Sequence, residues 1–333
     1  MPALTLLIPN PVASRIAEHE TPHPALEAFL ARCVPTIEPA TSSVGWICTQ
    51  FGVERQQDWP AGAILAQANS EETGSKFWIC AQPVHLAVNR DELVLMPPAQ
   101  LRLPDAQSKA LFCSVETHCA EHGLQMRYID AGMWCIGSRH PQDLSTTEIE
   151  CVEGRSVGAA LVSGSDAHWW QRLIVELQMV LHEHPVNRAR EHNGEAPVNS
   201  VWIWGGGSAP DVHHHFDTMC VDQPLLRALA RLSRARTPGI ACNIDSVLDD
   251  NRGLVELTSS TEVDIGTCLA RLEVEWMVPA WQALAKGSLK ELTMVFALPG
   301  GLVTCRCDRW ARRRFWKRRS ALRRQIAHWK RGS

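Results

Sequence analysis

The stretch "HEHPVNRAREHNGEAPVNSVWIWGGG", residues 182–207, decides how the chain is read. It places Pro-Val-Asn twice, at Pro185–Asn187 and Pro197–Asn199, and ends in an aromatic run and three glycines. Such a run forms either the wall of a binding site or a tightly packed strand end. An amide can orient a ligand, a guanidinium can grip a carboxylate or phosphate, and successive glycine N–H groups can cradle an anion. Asn187, Arg190, Asn199, Gly205, Gly206, Gly207 and the flanking His184 are therefore the candidate ligand-binding residues, with a small anionic molecule as the ligand class. The alternative has the two Asn side chains capping backbone turns and the glycines turning a strand. Trp202 and Trp204 alternate with Ile203, share one strand face, and read as core.

Outward from this stretch, apolar strands alternate with helical periodicity. Leu4–Ile8 reads as a buried strand, and Pro24 opens a helix with Leu26, Phe29, Leu30 and Cys33 on one face. Lys76–Cys80 and Val84–Val88 read as strands, with "RDELVLM" following a turn. Asp105 is read as the N-cap of a helix aligning Leu111, Phe112, Val115 and Cys119, with Gly123 as its stop. Ser165 or Asp166 precedes a helix carrying Trp170, Leu173, Leu177 and Val180 or Leu181. Asp222 and Pro224 start another, a longer one runs from about Asp264 to Leu284, and "LTMVFAL" at 292–298 is a late strand. This alternation predicts an α/β protein with a mainly parallel sheet covered by helices.

The chain has 333 residues, 45% hydrophobic and 21% charged, which suits a globular protein with a substantial core. "MPALTLLIPN" reads as a first strand rather than a signal peptide, and no apolar run is long enough for a membrane span, so the expected location is cytoplasmic. The 12 cysteines show no CxxC pair and are read as buried, reduced thiols, Cys305 and Cys307 included. Charge is segregated: residues 306–331 hold twelve of the chain's 33 Lys and Arg but one of its 36 Asp and Glu.

"HPVNRAREHNGEAPVNSVWIWGGGSAP" is similar to a signature of the archaeal-type cofactor-independent phosphoglycerate mutases, at Asn187, Arg190, Gly194, Pro197, Asn199, Trp202, Trp204, Gly205 and Gly207. "LARLEVEWMVPAWQALAKGSLKELTMVFALPGG" resembles that family's C-terminal helix and last core strand. Together with "ELQMVLHEHPVN" and "DRWARRRFW", the chain resembles the RpfE-type regulatory proteins, relatives of those mutases. The resemblance implies an alkaline-phosphatase-like α/β/α core with an inserted smaller α/β domain. On that pattern, 1–95 is the first part of the core, 96–195 the insertion with the HPVN helix, 196–305 the second part of the core, and 306–333 a basic aromatic tail.

Active members of the family use two divalent metals and a serine that becomes phosphorylated, chemistry that needs carboxylate and imidazole ligands at strand ends. Here the first strand runs into Pro9 and Asn10 rather than Asp-Gly. Between Trp46 and Pro60 the only hydroxyl is Thr49, in no Gly-Ser-Asp turn. "VFALPGG" leads into no Asp-His, and no histidine occurs between His215 and His328. The resemblance thus implies the fold without its chemistry: no catalytic residue, metal or cofactor is assigned. The expected role is regulatory or ligand-sensing, with an altered enzyme of phosphorylated small molecules as the alternative.

Two histidine sets, His182 with His184 and His213–His215, are read as a helix end and a solvated loop rather than zinc ligands. The tail interleaves Trp310, Phe315, Trp316 and Trp329 with Arg312, Arg313, Arg314 and other basic residues. Docking of this tail on the acidic body, or on another subunit, is placed first, and nucleic acid second, where arginines would neutralise phosphates and aromatics would stack on bases.

Overall fold

The computed structural model describes residues 2–9, 13, 21–39, 41–69, 75–89, 92–158, 162–239, 243–248, 250–257, 265–298, 301–308 and 310. The chain divides into two compact units, one made of Met1–Phe51 with His213–Ser333, the other of Gly52–Val212. One unit is thus inserted into the other.

The first unit opens with β1 (Ala3–Ile8), α1 (Pro24–Arg32), β2 (Val34–Pro39) and α2 (Ser43–Gln50). In the inserted unit follow α3 (Ala61–Asn69), β3 (Phe77–Val84), β4 (Leu86–Asn89), β5 (Glu92–Leu95) and α4 (Asp105–Glu121). It continues with β6 (Gln125–Asp130), β7 (Met133–Ser138), α5 (Ala167–His182), α6 (Pro185–His192) and β8 (Ser200–Gly207). The first unit resumes with β9 (Thr218–Cys220), α7 (Pro224–Leu232), α8 (Ile244–Leu248) and β10 (Arg252–Glu256). It closes with α9 (Ile265–Arg271), α10 (Val278–Lys286), β11 (Glu291–Leu298) and β12 (Gly301–Asp308).

The first unit's sheet has the order β2-β12-β11-β1-β10-β9. β1, β9, β10 and β11 are parallel, while β12 runs antiparallel to both β11 and β2. Leu4, Leu6, Ile8, Met294 and Phe296 pack with Phe29, Trp276 and Met277 into its core. A π-helical turn, Leu272–Met277, joins α9 to α10. It carries the buried Glu273, whose carboxylate accepts from the Leu26 N–H at 3.0 Å and also from that of Ala25. A negative charge there satisfies donors that the first turn of α1 leaves open and meets the positive end of its dipole.

The inserted unit's sheet, β6-β7-β3-β8, is antiparallel throughout, beside a small β4-β5 hairpin. The expectation of a mainly parallel sheet therefore holds for the first unit alone. Ile79, Trp134, Ile136 and Val201 pack against Leu111 and Val115 of α4 and Leu173 and Leu177 of α5. α3 lies against β3 and β8, where a Cβ on Gly62 would come within 2.5 Å of the Ile79 backbone.

Three sequence expectations are revised. The insertion is wider than 96–195, because β3, placed in the core by sequence, pairs with β7 and β8. The tail boundary at 306 falls inside β12, where Arg306 pairs with Val34 and its guanidinium lies 3.3 Å from Glu291. Cys305 and Cys307, by contrast, are buried thiols as read, their CxC being strand alternation with Arg306 exposed between them. The neighbouring Cys33 thiol, with burial, holds Cys305 far above the usual thiol range and hence neutral. Finally, Cys220 is disulfide-bonded, against the expectation of thiols reduced throughout, while ten others, including Cys33, Cys305 and Cys307, form no disulfide.

Candidate functional site

The carboxyl ends of parallel strands leave backbone and loop groups facing an open crevice, which is where open α/β sheets bind ligands. In the first unit this crevice is a cavity of about 890 Å³, bordered by Ile8 of β1, Cys220–Asp222 at the end of β9 and just past it, and Val255–Leu257 at the end of β10. That volume suits a small molecule. Three arginines line it: Arg227 and Arg231, one turn apart on α7, and Arg271 at the end of α9. Residues four apart on a helix share a face, so the first two present their guanidinium groups together.

Three acids also line the cavity, Asp222, Glu256 and Glu275. Glu275 is paired with Arg271 at 3.3 Å. Glu256 is buried, and its Oε2 accepts from the N–H groups of Asp222 and Gln223 at 2.9 and 3.0 Å. It therefore serves the start of α7 as Glu273 serves α1. Oε2 of the carboxylate best placed to ligate a metal at these strand ends is committed to backbone amides, and no imidazole stands beside it among the described lining residues. These groups do not fit a pair of divalent metals, which needs several carboxylate and imidazole ligands around each ion. Among the described residues, the set of His, Cys, Asp or Glu that converges to coordination distance lies in the inserted unit instead.

The hydroxyl sought after Trp46 gives no nucleophile: Thr49 is inside α2 and donates to the Gly45 carbonyl at 2.8 Å. Upstream of Trp46 stand the hydroxyls of Thr41, Ser42 and Ser43. Ser42 caps α2, accepting from the Gly45 N–H at 2.9 Å. Its signature, Ser followed by a helical apolar pattern, was legible.

The central stretch has a different character. Arg190 is fully buried; its Nε donates to the Ala196 carbonyl at 2.8 Å, Nη1 to Gln107 at 2.7 Å and Nη2 to the Leu101 carbonyl at 2.6 Å. Asn187 donates to the carbonyls of Leu181 and Val198 at 2.7 Å and accepts from the Val198 N–H at 2.8 Å. Asn199 exchanges both bonds with the Leu86 backbone, as a strand neighbour would, at 2.7 and 2.9 Å. His184 caps α6, its Nδ1 accepting from the Val186 N–H at 3.1 Å, and burial holds its pKa below the usual value. The two Pro-Val-Asn repeats are thus two backbone clamps, and the geometry favours the scaffold reading of all four side chains.

The glycines follow the same logic. The β3–β8 register shifts between Trp78 and Cys80, so that β8 bulges at Gly205, which has φ of 66°. A Cβ there would meet the Ala61 methyl at 2.9 Å, and one on Gly206 would meet the Phe77 ring at 2.5 Å. On Gly207 it would strike Pro60 and Gln56. The amide freed by the bulge donates to the Thr146 hydroxyl at 3.1 Å, which in turn donates to the buried Asp58. Trp202 and Trp204 are buried, as read, their indole N–H groups donating to the Thr147 carbonyl and to Gln82.

His214 donates to the Ser233 carbonyl at 2.9 Å and contacts Asp217 at 3.0 Å; these partners raise its pKa, while burial lowers that of His215. Neither histidine set read in the sequence belongs to a converging group among the described residues. Trp310 is exposed, its N–H donating to Asp308 at 3.0 Å. Arg312, Arg313, Arg314 and Trp316 lie outside the described residues.

No protein-family model matches the chain. It is 39% identical over 187 residues to a "probable 2,3-bisphosphoglycerate-independent phosphoglycerate mutase" of Geobacter sulfurreducens, covering 54% of this chain and 46% of that protein. It is 38% identical over 83 residues to the 2,3-bisphosphoglycerate-independent phosphoglycerate mutase of Methanosarcina barkeri, covering 22% and 21%. The chain thus spans less than half the length of either relative. Among solved structures, the PH0037 protein of Pyrococcus horikoshii superposes with a TM-score of 0.50 at 11% identity, over 92% of this chain and 87% of that one. The cofactor-independent phosphoglycerate mutase of Thermoplasma acidophilum gives 0.45 at 13% identity. Over these stretches the chain is similar in sequence to phosphoglycerate mutases, and its α/β fold, with one unit inserted into the other in sequence, is that of the PH0037 protein.

Proposed function

We propose that the chain is a catalytically degenerate phosphoglycerate-mutase-like protein that senses a small anionic molecule. The crevice at the ends of β1, β9 and β10 carries this reading. It keeps the place where the fold binds ligands and offers Arg227, Arg231 and Arg271, while its buried carboxylate is spent on capping α7. Guanidinium groups hold phosphate and carboxylate strongly without any chemistry following. The RpfE-type likeness of "ELQMVLHEHPVN" and "DRWARRRFW" is what points to regulation. A cytoplasmic location belongs to the same proposal. No helix among the described residues is long and apolar enough to cross a membrane; the Cys220 disulfide, of a kind that a reducing cytosol keeps rare, weighs against that location.

The test is thermal melting with 3-phosphoglycerate as probe. A ligand that binds the native state alone raises the melting temperature with its concentration. The rise is expected in the wild type and lost in the Arg227→Ala, Arg231→Ala double variant, whose unliganded melting temperature stays unchanged. No rise, or a rise that the double variant keeps, contradicts this crevice as the site.

A phosphoryl-transferring enzyme with an altered site is the second reading. Ser42 favours it, because a hydroxyl at a helix start sits where the dipole stabilises developing negative charge.

A further inference from the structure

His118 and His122 lie one turn apart, on α4 and at its C-terminal cap, and Glu176 faces them from α5. Both imidazole Nε2 atoms approach the same carboxylate oxygen: His118 at 3.1 Å and His122 at 3.0 Å from Glu176 Oε2. The three ligand atoms all lie within 4.8 Å of one another. The side chains are 23%, 28% and 25% exposed, so water and ions reach them without unfolding.

The geometry points to a binding site for a single divalent transition-metal ion of the zinc type, held by His118, His122 and Glu176. Zinc sits about 2.0–2.1 Å from imidazole nitrogen and carboxylate oxygen, so neighbouring ligand atoms of a tetrahedral site lie roughly 3.3 Å apart. The observed 3.0 and 3.1 Å are slightly less, and rotations of a few tenths of an ångström open the triangle around an ion. Two nitrogens and one oxygen exclude magnesium and calcium, which take oxygen ligands, and suit zinc or its neighbours.

The surroundings support the site. Arg172, one turn from Glu176 on α5, donates from Nε to its other oxygen at 3.0 Å, leaving Oε2 turned toward the histidines. Such outer partners fix ligand orientation. The His118 and His122 rings meet edge to face at 5.1 Å, and Trp169 packs against His122 with ring centroids 6.0 Å apart. Three protein ligands leave a fourth position open to solvent, and an ion there ties α4 to α5 across the surface of the inserted unit. Its three residues all belong to the inserted unit, and none of them lines the crevice of the first unit.

Titration calorimetry of the full chain with zinc chloride is the test, in a buffer that does not chelate. The wild type is expected to bind one equivalent with micromolar or tighter affinity, and binding to weaken by roughly tenfold or more in Glu176→Gln and in His118→Ala, His122→Ala. The far-UV circular dichroism of the zinc-free variants should match that of the wild type. Cobalt, a spectroscopic stand-in for zinc, should give the intense visible bands of a four-coordinate ion in the wild type alone. Absence of zinc binding, or binding that the histidine variant retains through other surface histidines, overturns the inference.

Discussion

The Arg190 guanidinium donates to the Leu101 carbonyl at 2.6 Å across 89 residues of sequence, and the residue is 1% exposed. A cation so deep is held by the scaffold rather than offered to a ligand. Arg190→Ala would strip partners from the carbonyls of Leu101 and Ala196 and leave a cavity. A loss of roughly 3–5 kcal/mol is expected, judging by the cost of breaking buried charged hydrogen bonds. Urea denaturation measures it, and an anion-induced melting shift should survive in any variant that still folds. A variant of unchanged stability that no longer responds to anions would return Arg190 to the ligand site.

Gly205→Val meets two penalties: a β-branched residue at φ of 66° and a side chain driven into Ala61. Left-handed strain alone costs about 1–3 kcal/mol, so the expected destabilisation exceeds that of Gly123→Ala. Gly123 is also left-handed, but a Cβ there would meet nothing within 4 Å. Parallel denaturation curves of the two variants check the ordering.

Histidine titration predicts opposed pH limbs. His184 has a native pKa below 6.5 because burial disfavours its charge, so its contribution is complete above 6.5 and fades as pH falls through the lowered value. His214 is the reverse: its bond to the Ser233 carbonyl, then Asp217, raises its pKa, and its contribution is complete below 6.5 and fades as pH rises through the raised value. His184→Asn should flatten the acid limb of stability against pH, and His214→Asn the limb on the alkaline side of 6.5. Equal slopes in variant and wild type would contradict both assignments.

Much of this architecture was legible in the sequence because it is local. The Leu111, Phe112, Val115, Cys119 face of α4, the Pro24 and Pro224 helix starts, and the strands at Leu4–Ile8 and 292–298 all follow from periodicity and caps. The insertion's bounds were not, because they rest on β3 pairing with β8 more than a hundred residues away. Nor was the three-residue β9, too short to show alternation. The motif residues were found, but sequence cannot tell an anion-binding Arg190 from one that spends its donors on Leu101, Gln107 and Ala196. The arginines of the crevice and the His118, His122, Glu176 triad come together only when helices far apart in sequence fold against a sheet or each other.

The tail prediction moves with its boundary. Truncation at 306 would remove the last three residues of β12, so the informative deletion starts at residue 311. If the basic segment docks on the acidic body, the shortened chain should melt lower and be less soluble at low salt. Aromatic docking should persist in part at high salt, since apolar burial is not screened. Equal melting temperatures, with salt-sensitive nucleic-acid binding by the intact chain alone, would favour the other partner.

The central claim is that the mutase-like fold persists here without mutase chemistry. Phosphorus NMR of 3-phosphoglycerate incubated with the purified chain and added manganese, magnesium or zinc tests it most directly. The account predicts no 2-phosphoglycerate signal above that of the protein-free control under any metal. Metal-dependent growth of that signal, abolished by Ser42→Ala, would contradict it.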